Sequence, residues 1–360
     1  MRFAFNDDQL ALFEAVRQVL DRECTPADLR AAAVSGASER RWEVLAELGA
    51  LGLLVGEDQG GLGMSEVELV GVLEEAGRAS LPEPLAETAA LAVPLLTDPA
   101  RLEALAAGEL VVGTGGIDLD ARGPWPASEP SGGGSVRTHR VVGASSAGLL
   151  LLWHGEPGGP WELHAVPVEA AAVERTPSVD PTRDLSSVTW RPGPGTRLLE
   201  GAEAESAMRA TLDRAALATA AQLLGLADRM LTMTAEYAKA RVQFGKPIGS
   251  FQAVKHHLAN ARVRLDFARP ATYRAAYAVA HHEPGRLEHC AMAKALASDA
   301  ADLGARVALQ VHGAIGYTWE CDLQLYMKRA WALSAAWGNA ATHRARVLEA
   351  ALASPAHSID

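Results

Sequence analysis

Residues 241–259 read RVQFGKPIGSFQAVKHHLA and contain side chains whose type and spacing suit the binding of a phosphate group. The guanidinium of Arg241 presents planar pairs of N–H donors that match phosphate oxygens. Pro247 has no backbone N–H, so the FGKPIG insert breaks the helix, and the helix that resumes offers unpaired N–H groups at its N-terminus. The alternative is that Arg241 caps a helix end and that the insert is only a turn. A short pattern taken by itself favours this alternative.

Other side chains that could do chemistry do not have the spacing for it. The adjacent pairs His256–His257 and His281–His282 diverge by about 100° on a helix, whereas metal ligands on a helix stand at i and i+4. The cysteines are odd in number and far apart, which indicates neither a disulfide framework nor a zinc site; they are Cys24, Cys290 and Cys321. We therefore expect no metal.

The composition excludes several classes of protein. The 360 residues are 49% hydrophobic and 21% charged, with a formal net charge of −11, and no basic stretch interleaves with aromatic residues. A nucleic-acid partner is therefore not expected. No apolar run approaches the roughly 20 residues of a membrane span, and the first residues lack the apolar core of a signal peptide. We expect a cytoplasmic protein without a membrane segment.

The pattern of residues predicts a mainly α fold with a small β domain. The pattern of residues 1–111 predicts helices. Asn6 and Ser65 each stand at the start of one of them, where they can cap it. Residues 112–199 are rich in Gly, Pro and Ser between short apolar runs, as in a β domain. The helical periodicity of residues 200–360 predicts a four-helix bundle. One long helix precedes the FGKPIG break, and three further helices lie around 251–282, 287–310 and 322–352.

Two motifs stand at a consistent spacing within this order of domains. Residues 241–259 contain R-x-x-F-G, followed by F-Q at the start of the next helix. Residues 310–330 read QVHGAIGYTWECDLQLYMKRA and contain Q-x-x-G-x-x-G-Y-T-x-E. Together with the weaker landmark GEDQGGLGMSEVELVGVLEEAGRAS near the N-terminus, these motifs resemble the acyl-CoA dehydrogenase family of flavoproteins. The sequence is identified as a member of that family, which implies FAD as the cofactor.

The resemblance implies a role for both motifs. In the family, the break between the first two C-terminal helices lies near the FAD of the dimer partner. By position, Arg241 would reach the FAD pyrophosphate, with Phe244 and Gln252 near the adenosine half. Small residues in the second motif would let the backbone approach the cofactor. This second wall would consist of Gln310, Gly313 and Gly316.

Members of the family remove the α-proton of an acyl-CoA thioester with a carboxylate while the β-hydride passes to flavin. In one branch the base is a glutamate directly before a glycine. Here Gly338 aligns with that glycine, and Trp337 occupies the glutamate position, where an indole cannot accept a proton. In a second branch the base stands on the long helix, at a position that falls on Ala215 or beside it. The nearest carboxylate, Asp213, is roughly 200° away on the helix. Asp213 is thus either a base or a solvated or salt-bridged residue, paired with Arg209.

The β domain also departs from the family. Members carry a T-E-x-x-x-G-S-D-like stretch and a W-I/F-T-N-like stretch that bind the isoalloxazine ring. Here GTGGIDLDARGPWPASEPSGGGS lacks the Glu and the Ser of the first stretch, and the second has no clear counterpart. We expect an incomplete flavin-ring pocket. We also expect that space left by a lost ligand is filled by Trp319, Trp331 and Trp337.

These losses, beside the retained motifs, resemble the degenerate subunit of bacterial α2β2 acyl-CoA dehydrogenases, such as those of steroid side-chain degradation. In those enzymes one subunit holds the base and the flavin ring, and the other completes the FAD site across the interface. The resemblance implies a dimer or tetramer with a second acyl-CoA dehydrogenase-like subunit and an acyl-CoA substrate. The alternatives are a self-sufficient homo-oligomeric dehydrogenase with Asp213 as base, and a flavin-free structural or binding homologue.

Overall fold

The computed structural model describes residues 4–120, 123–155 and 159–353. Helices form two blocks, one on each side of a β domain in the sequence. The first block contains α1 (Asp7–Glu23), α2 (Pro26–Ser35), α3 (Glu39–Glu47), α4 (Glu66–Arg78), a π-helix (Ala86–Ala92) and α5 (Pro99–Ala106). The second block contains α6 (Gly201–Ala240), α7 (Gln252–Ala280), α8 (Arg286–His312), α9 (Leu323–Ala335) and α10 (Ala340–Ala353). The prediction of a mainly α fold with a small β domain is confirmed.

The helix starts follow from side chains that satisfy the first backbone N–H groups. The Asn6 side chain accepts from the Gln9 backbone N–H at 2.8 Å, and the Gln9 side chain accepts from the Asn6 N–H at 2.8 Å. Ser65 and Glu68 form the same reciprocal pair at the start of α4. Such capping boxes need only local sequence, so both predicted caps are confirmed.

The β domain is built on one mixed sheet. Its strands are β1 (Val112–Gly115), β2 (Ile117–Asp120), β3 (Gly123–Pro126), β4 (Ser128–Gly132), β5 (Ser135–Val142), β6 (Leu149–Gly155), β7 (Trp161–Pro167), β8 (Ala172–Arg175), β9 (Leu185–Trp190) and β10 (Arg197–Glu200). The sheet has the order β10-β7-β6-β1-β5-β9-β8, with β4 added to β5. Only the β1–β6 pair is parallel among the described strand pairs of this sheet. β2 and β3 form a separate hairpin.

The long helix α6 passes through the centre of the molecule. One hydrophobic core contains residues of α6 and of helices in both blocks. The N-terminal part of α6 also packs against the core of the β domain. α6 and α4 cross with their backbones in contact, because a Cβ on Gly225 would lie 1.9 Å from the Glu74 carbonyl oxygen. A Cβ on Gly77 would likewise lie 2.1 Å from the Gln222 carbonyl oxygen. The two glycines therefore set how closely the blocks approach.

The last predicted helix, over 322–352, is wrong as a single element. It is divided into α9 and α10 at Trp337 (φ +56°) and Gly338 (φ +88°), which both lie in the left-handed region. The Asn339 side chain then accepts from the Thr342 backbone N–H at 3.0 Å and starts α10. Glycine after a helix and asparagine before the next one are stop and start signals. The fourth segment of the bundle is therefore a broken helix.

Among the described residues, no helix combines the length and the apolarity needed to cross a membrane. The same part of the chain contains no group of three or more His, Cys, Asp or Glu side chains that could hold a metal ion. All the cysteines are free thiols; they are Cys24, Cys290 and Cys321.

Candidate functional site

The break between α6 and α7 is a short hairpin. Its strands β11 (Val242–Gln243) and β12 (Lys246–Pro247) pair antiparallel, with Phe244 (φ +53°) and Gly245 (φ +77°) between them. Positive φ at both turn positions is the geometry of a type I′ turn, whose twist suits a hairpin. At Gly249 a Cβ would come within 3.0 Å of a carbonyl oxygen of α6. The insert is therefore a defined projection held against the end of α6.

The side chains of this hairpin that are predicted to contact FAD face away from the protein. Arg241 and Gln252 are exposed, and Phe244 is 91% exposed. Within the described residues the Arg241 guanidinium has no hydrogen bond or ion pair. Gln252 opens α7, and no side chain caps that helix start, so its first-turn N–H groups are unpaired. A free guanidinium and an uncapped helix N-terminus on one projection both suit phosphate oxygens.

The second predicted wall follows the end of α8. Gln310 is exposed, and Gly313 (φ +64°) has open space where a side chain would stand. Gly316 is buried, and a Cβ there would lie 3.0 Å from Leu309 and 3.1 Å from His312. Gly313 therefore leaves room for an approaching group, whereas Gly316 is required by its packing against α8.

An aromatic stack holds the two predicted segments at the same end of the bundle. Tyr237, in the last turn of α6, stacks on His312, in the last turn of α8, with ring centroids 4.3 Å apart and planes at 17°. His312 Nδ1 donates to the Ala308 carbonyl at 2.8 Å, and burial lowers the pKa of the ring, so it is neutral. Tyr237 was not predicted, because a tyrosine at helical spacing looks like ordinary core packing.

The position of the family's glutamate lies at a closed junction between the bundle and the β domain. The Trp337 side chain packs against both the helical core and the β-domain core. A Cβ on Gly338 would lie 3.1 Å from Leu119 Cδ2, so β2 touches this loop. At the position of the family's glutamate, the indole of Trp337 therefore lies between the two domains. The strand β2 contacts the following residue, Gly338.

Two buried titratable side chains fix this loop. Lys294 is 0% exposed and donates to the carbonyls of Ser334 at 3.1 Å and Gly338 at 3.2 Å. His343, also 0% exposed, donates from Nε2 to the Trp337 carbonyl at 2.9 Å. Burial lowers the pKa of Lys294 to about 7 and that of His343 to about 3. Neither was predicted, because their partners are backbone atoms that only the tertiary fold brings near.

Asp213 lies inside the bundle. It is 4% exposed, and Arg346 of α10 donates to its carboxylate at 3.2 Å. Burial raises the pKa of Asp213, and the positive charge of Arg346 opposes the rise. The predicted pairing with Arg209 is wrong, since Arg209 bonds to Glu205 at 2.7 Å on the exposed side of α6. Asp213 is thus a buried, ion-paired carboxylate, and its role as a base stays a prediction.

Two cavities lie beside α6. A cleft of about 440 Å³ opens between the β2–β3 hairpin, α6, the α7–α8 connection and α10, and Arg209 and Arg346 line it. Asp213 is not among its lining residues. Between α4 and α6 a crevice has only about 10 Å³, room for one water molecule at most. Glu66 and Arg214, which pair at 3.1 Å, both line this crevice. The side chains of α4 and α6 therefore pack closely at this crevice.

The three tryptophans that were expected to fill a lost pocket differ in their exposure to solvent. Trp319 is 71% exposed, with Lys328 Nζ 3.9 Å above its ring, and Trp331 is 39% exposed. The expectation that all three tryptophans fill a lost pocket is wrong for these two, because they lie on the outside of the segment around α9. Only Trp337, of the three, packs between the two cores.

The first strands of the β domain pack where the family places its flavin-ring motif. Thr114 of β1 is buried, and its hydroxyl donates to the Leu151 carbonyl at 3.2 Å. A Cβ on Gly116 would lie 2.2 Å from the Trp153 carbonyl oxygen. The threonine and this glycine therefore serve the packing of the sheet. Residues 121–122 of this stretch lie outside the described residues.

Comparison with known proteins agrees with this fold. The chain matches the family models "Acyl-CoA dehydrogenase, N-terminal domain" over residues 6–97 and "Acyl-CoA dehydrogenase, C-terminal domain" over residues 204–352. It is 34% identical over 335 residues to acyl-CoA dehydrogenase IpdE2 of Mycobacterium tuberculosis, across 90% of this chain and 91% of IpdE2. The chain belongs to the acyl-CoA dehydrogenase family. That family consists of FAD-dependent oxidoreductases, so the predicted family and its cofactor are confirmed.

Two further family members are similar over most of this chain. Acyl-CoA dehydrogenase FadE34 of Mycobacterium tuberculosis is 38% identical over 291 residues, across 79% of this chain but 38% of FadE34. The chain therefore spans less than half the length of FadE34. The solved structure "Tcur3481-Tcur3483 steroid ACAD G363A variant" matches with a TM-score of 0.84 and 25% identity, across 97% of this chain and 99% of that chain.

Proposed function

We propose that the chain is the non-catalytic subunit of a flavin-dependent complex that α,β-desaturates acyl-CoA thioesters, and that it completes the FAD site of another subunit. One contrast carries this proposal. The segments that would contact a partner's FAD are exposed and have free polar groups, whereas the chain's own base position is filled by Trp337. We place the complex in the cytoplasm, where free thiols such as those of the three cysteines persist.

The chain's residues fit the part of FAD that lies far from the reacting ring. Bound FAD would supply the hydride acceptor of the reaction. Arg241 would pair with the pyrophosphate, because its guanidinium is exposed and has no partner within the described residues. Phe244 offers an open ring face to the adenosine half, and Gln252 and Gln310 offer amides to its polar edges. Gly313 leaves open space for the backbone to approach the cofactor.

The chain's residues do not fit the flavin-ring half of FAD in the same way. Trp337 puts an indole at the position of the family's carboxylate, and the next residue, Gly338, is in contact with β2. The hydroxyl of Thr114 is buried and hydrogen-bonded, so β1 has no free hydroxyl. We infer that the base, the flavin ring and the acyl group belong to the partner subunit.

The relatives support a two-subunit arrangement. The solved structure at 25% identity is named for two proteins together, Tcur3481 and Tcur3483, and is called a steroid ACAD. The chain matches 38% of FadE34, which leaves room in FadE34 for a second unit of this size. We propose that the partner is a second acyl-CoA dehydrogenase-like subunit in a dimer or tetramer, and that the substrates are bulky, steroid-derived acyl-CoA thioesters.

A self-sufficient homo-oligomeric dehydrogenase is the second candidate. The burial of Asp213 and its raised pKa favour this candidate, because a general base needs a pKa closer to neutrality. The ion pair with Arg346 works against it, since the pair engages the carboxylate. A flavin-free homologue is the third candidate, in which the hairpin would serve assembly alone.

The visible absorption spectrum separates these candidates. The purified chain would be measured alone and after co-expression with an acyl-CoA dehydrogenase-family protein encoded beside it. We expect a band at roughly 450 nm, that of oxidised flavin, only in the co-expressed complex. Stoichiometric flavin in the chain alone would support the second candidate, and no flavin in either sample the third. In the complex, Asp213→Asn should leave the turnover rate unchanged, whereas a base at Asp213 predicts its loss.

A further inference from the structure

A groove of about 280 Å³ lies between α2, α9 and the segment that joins β8 to β9. Its walls are mainly apolar, with Ala33 and Val34 from α2, Pro181 from the joining segment and Leu325 from α9. The ring of Trp319 forms part of its rim. Small-molecule sites in proteins combine apolar walls with a few polar groups that orient the ligand. The polar groups of this groove therefore decide what it could bind.

The charged side chains that line the groove leave one cation without a partner. Arg30 pairs with Asp322 at 2.6 Å. Asp180 is 1% exposed and pairs with Arg329, which lies behind it in the protein. Lys328 is the third charged residue of the lining, and its ammonium makes no ion pair or hydrogen bond with any described residue. The groove therefore presents one uncompensated positive charge.

The ammonium of Lys328 is held at the rim of the groove. Its Nζ lies 3.9 Å from the centroid of the Trp319 ring. Such a cation–π contact restricts the positions that a long lysine side chain takes. The charge therefore stays beside the apolar walls.

A second polar group of the lining is buried and unpaired. Gln324 is 7% exposed, and its side-chain amide has no hydrogen-bond partner among the described residues. A buried amide without a partner is unfavourable, so the groove is where its partner is to be expected. Gln324 stands four residues before Lys328 on α9, and side chains at this spacing are neighbours on one face of a helix. The two unpaired donors therefore open onto the same space.

We propose that this groove binds a small apolar monocarboxylate. One carboxylate oxygen accepts from Lys328 Nζ and the other from the amide of Gln324, which gives charge-assisted hydrogen bonds. The apolar part of the ligand lies against the walls formed by α2 and α9. An amine would bring a second cation beside Lys328 and is disfavoured. The inference does not rest on the proposed function, because none of these residues is among the predicted FAD contacts.

Hexanoate is the probe for this site. Hexylammonium and hexan-1-ol carry the same carbon chain with a positive charge and with no charge, so they are its matched controls. The binding of each compound to the full chain would be measured by ligand-observed NMR titration at neutral pH and low salt. We expect hexanoate to bind at a single site with a dissociation constant on the order of 1 mM. Both controls should bind at least about tenfold more weakly.

Substitutions on α9 assign the binding to this groove. Lys328→Met removes the charge but keeps an unbranched side chain, and it should weaken hexanoate binding about tenfold. Gln324→Leu removes the amide at a similar volume and should weaken binding roughly five-fold. The control Lys255→Met removes an exposed lysine of α7 whose ammonium likewise makes no ion pair with any described residue. It should bind hexanoate as wild type does.

Three results would overturn the inference. They are equal affinities for hexanoate and hexylammonium, wild-type affinity in Lys328→Met, and an equal loss of affinity in Lys255→Met. Lys328 is only half-buried and makes no ion pair, so its replacement leaves the fold intact and decides the question even if Gln324→Leu does not fold. Flavin takes no part in these titrations, so the absorption spectrum of the complex tests the proposed function separately.

Discussion

The rings of Tyr237 and His312 lie face to face, 4.3 Å apart, at the point where α6 and α8 end and the two predicted cofactor segments begin. Neither residue belongs to the exposed hairpin or to the Gly313–Gly316 turn. The stack joins the ends of the two helices from which both segments start. A contact between two partly hidden side chains therefore supports the ends from which both predicted cofactor segments project.

Replacing Tyr237 tests this positioning role. Tyr237→Leu keeps much of the apolar area but removes the aromatic pair, which is worth about 1 kcal/mol, so the free energy of unfolding should fall by about that amount in urea titrations. The flavin content of the co-expressed complex should fall as well. Tyr237→Phe keeps the ring and should preserve both quantities. Loss of stability with unchanged flavin content would show that the stack is structural only.

The crossing of α4 and α6 predicts a large effect of a single methyl group. In Gly225→Ala the new Cβ would lie 1.9 Å from the Glu74 carbonyl oxygen and 2.4 Å from the Arg78 backbone nitrogen, so the helices must separate. We expect a loss of about 2–3 kcal/mol in the free energy of unfolding.

A second buried glycine provides the control. At Gly304 of α8 the nearest atom to a new Cβ is 3.8 Å away, an ordinary contact. Gly304→Ala should therefore be neutral or stabilising by up to about 1 kcal/mol, because alanine has the higher helix propensity. Equal effects of the two substitutions, measured by urea unfolding, would contradict the backbone-contact interpretation of the crossing.

The features predicted correctly from the sequence are those that depend on neighbouring residues. Asn6 and Ser65 cap helices through partners three residues away, and the FGKPIG insert turns because Gly245 tolerates a positive φ. Even so, the left-handed φ of Phe244, which completes the type I′ turn, was not predicted.

The features that were missed depend on residues far apart in the sequence. Asp213 pairs with Arg346 across the bundle, although Arg209 stands one turn away on its own helix. Lys294 satisfies carbonyl oxygens at a helix break more than 35 residues further along the chain. Periodicity reports which residues are buried, but it does not report which buried polar groups meet.

Lys294 predicts a particular dependence of stability on pH. Its pKa is lowered to about 7 by burial, whereas a lysine in the unfolded chain titrates near 10.5. Between these values the unfolded chain binds more protons, so stability rises with pH, by at most about 1.4 kcal/mol per pH unit. Below pH 7 both states are protonated and this contribution is constant.

The comparison of two lysine variants isolates this effect. Lys294→Met should lack the rise in the free energy of unfolding between about pH 7 and about pH 10 that wild type shows. Lys239→Met, at a lysine whose side chain is 71% exposed, should keep the wild-type profile. A rise of the same size in Lys294→Met, measured by denaturant titration at each pH, would assign the effect to other groups.

Arg241 is expected to matter for the complex and not for the chain. Its guanidinium has no hydrogen bond within the described residues, so Arg241→Ala should leave the free energy of unfolding within about 0.5 kcal/mol of wild type. Loss of a charge-assisted hydrogen bond to phosphate costs about 1.5–3 kcal/mol, so FAD affinity of the complex should fall roughly 10- to 100-fold. Arg241→Lys should recover only part of this loss, because a lysine lacks the paired donors.

Restoring the family's carboxylate provides the most direct test of the closed base position. Trp337→Glu returns a glutamate to the residue before Gly338, but the indole it removes packs against both cores. We expect a loss of about 2 kcal/mol in the free energy of unfolding and no desaturation of butyryl-CoA by the isolated variant, measured by dye reduction. Under the proposed function, a carboxylate alone does not supply the flavin ring.

Trp337→Phe is the control for the loss of packing, because it keeps an aromatic ring between the two cores. It should retain most of the stability that Trp337→Glu loses, and it should assemble with the partner as wild type does. Dye reduction by isolated Trp337→Glu, with a flavin band in its spectrum, would mean that this chain binds the isoalloxazine ring itself. The proposal that the flavin ring belongs to the partner subunit would then be wrong.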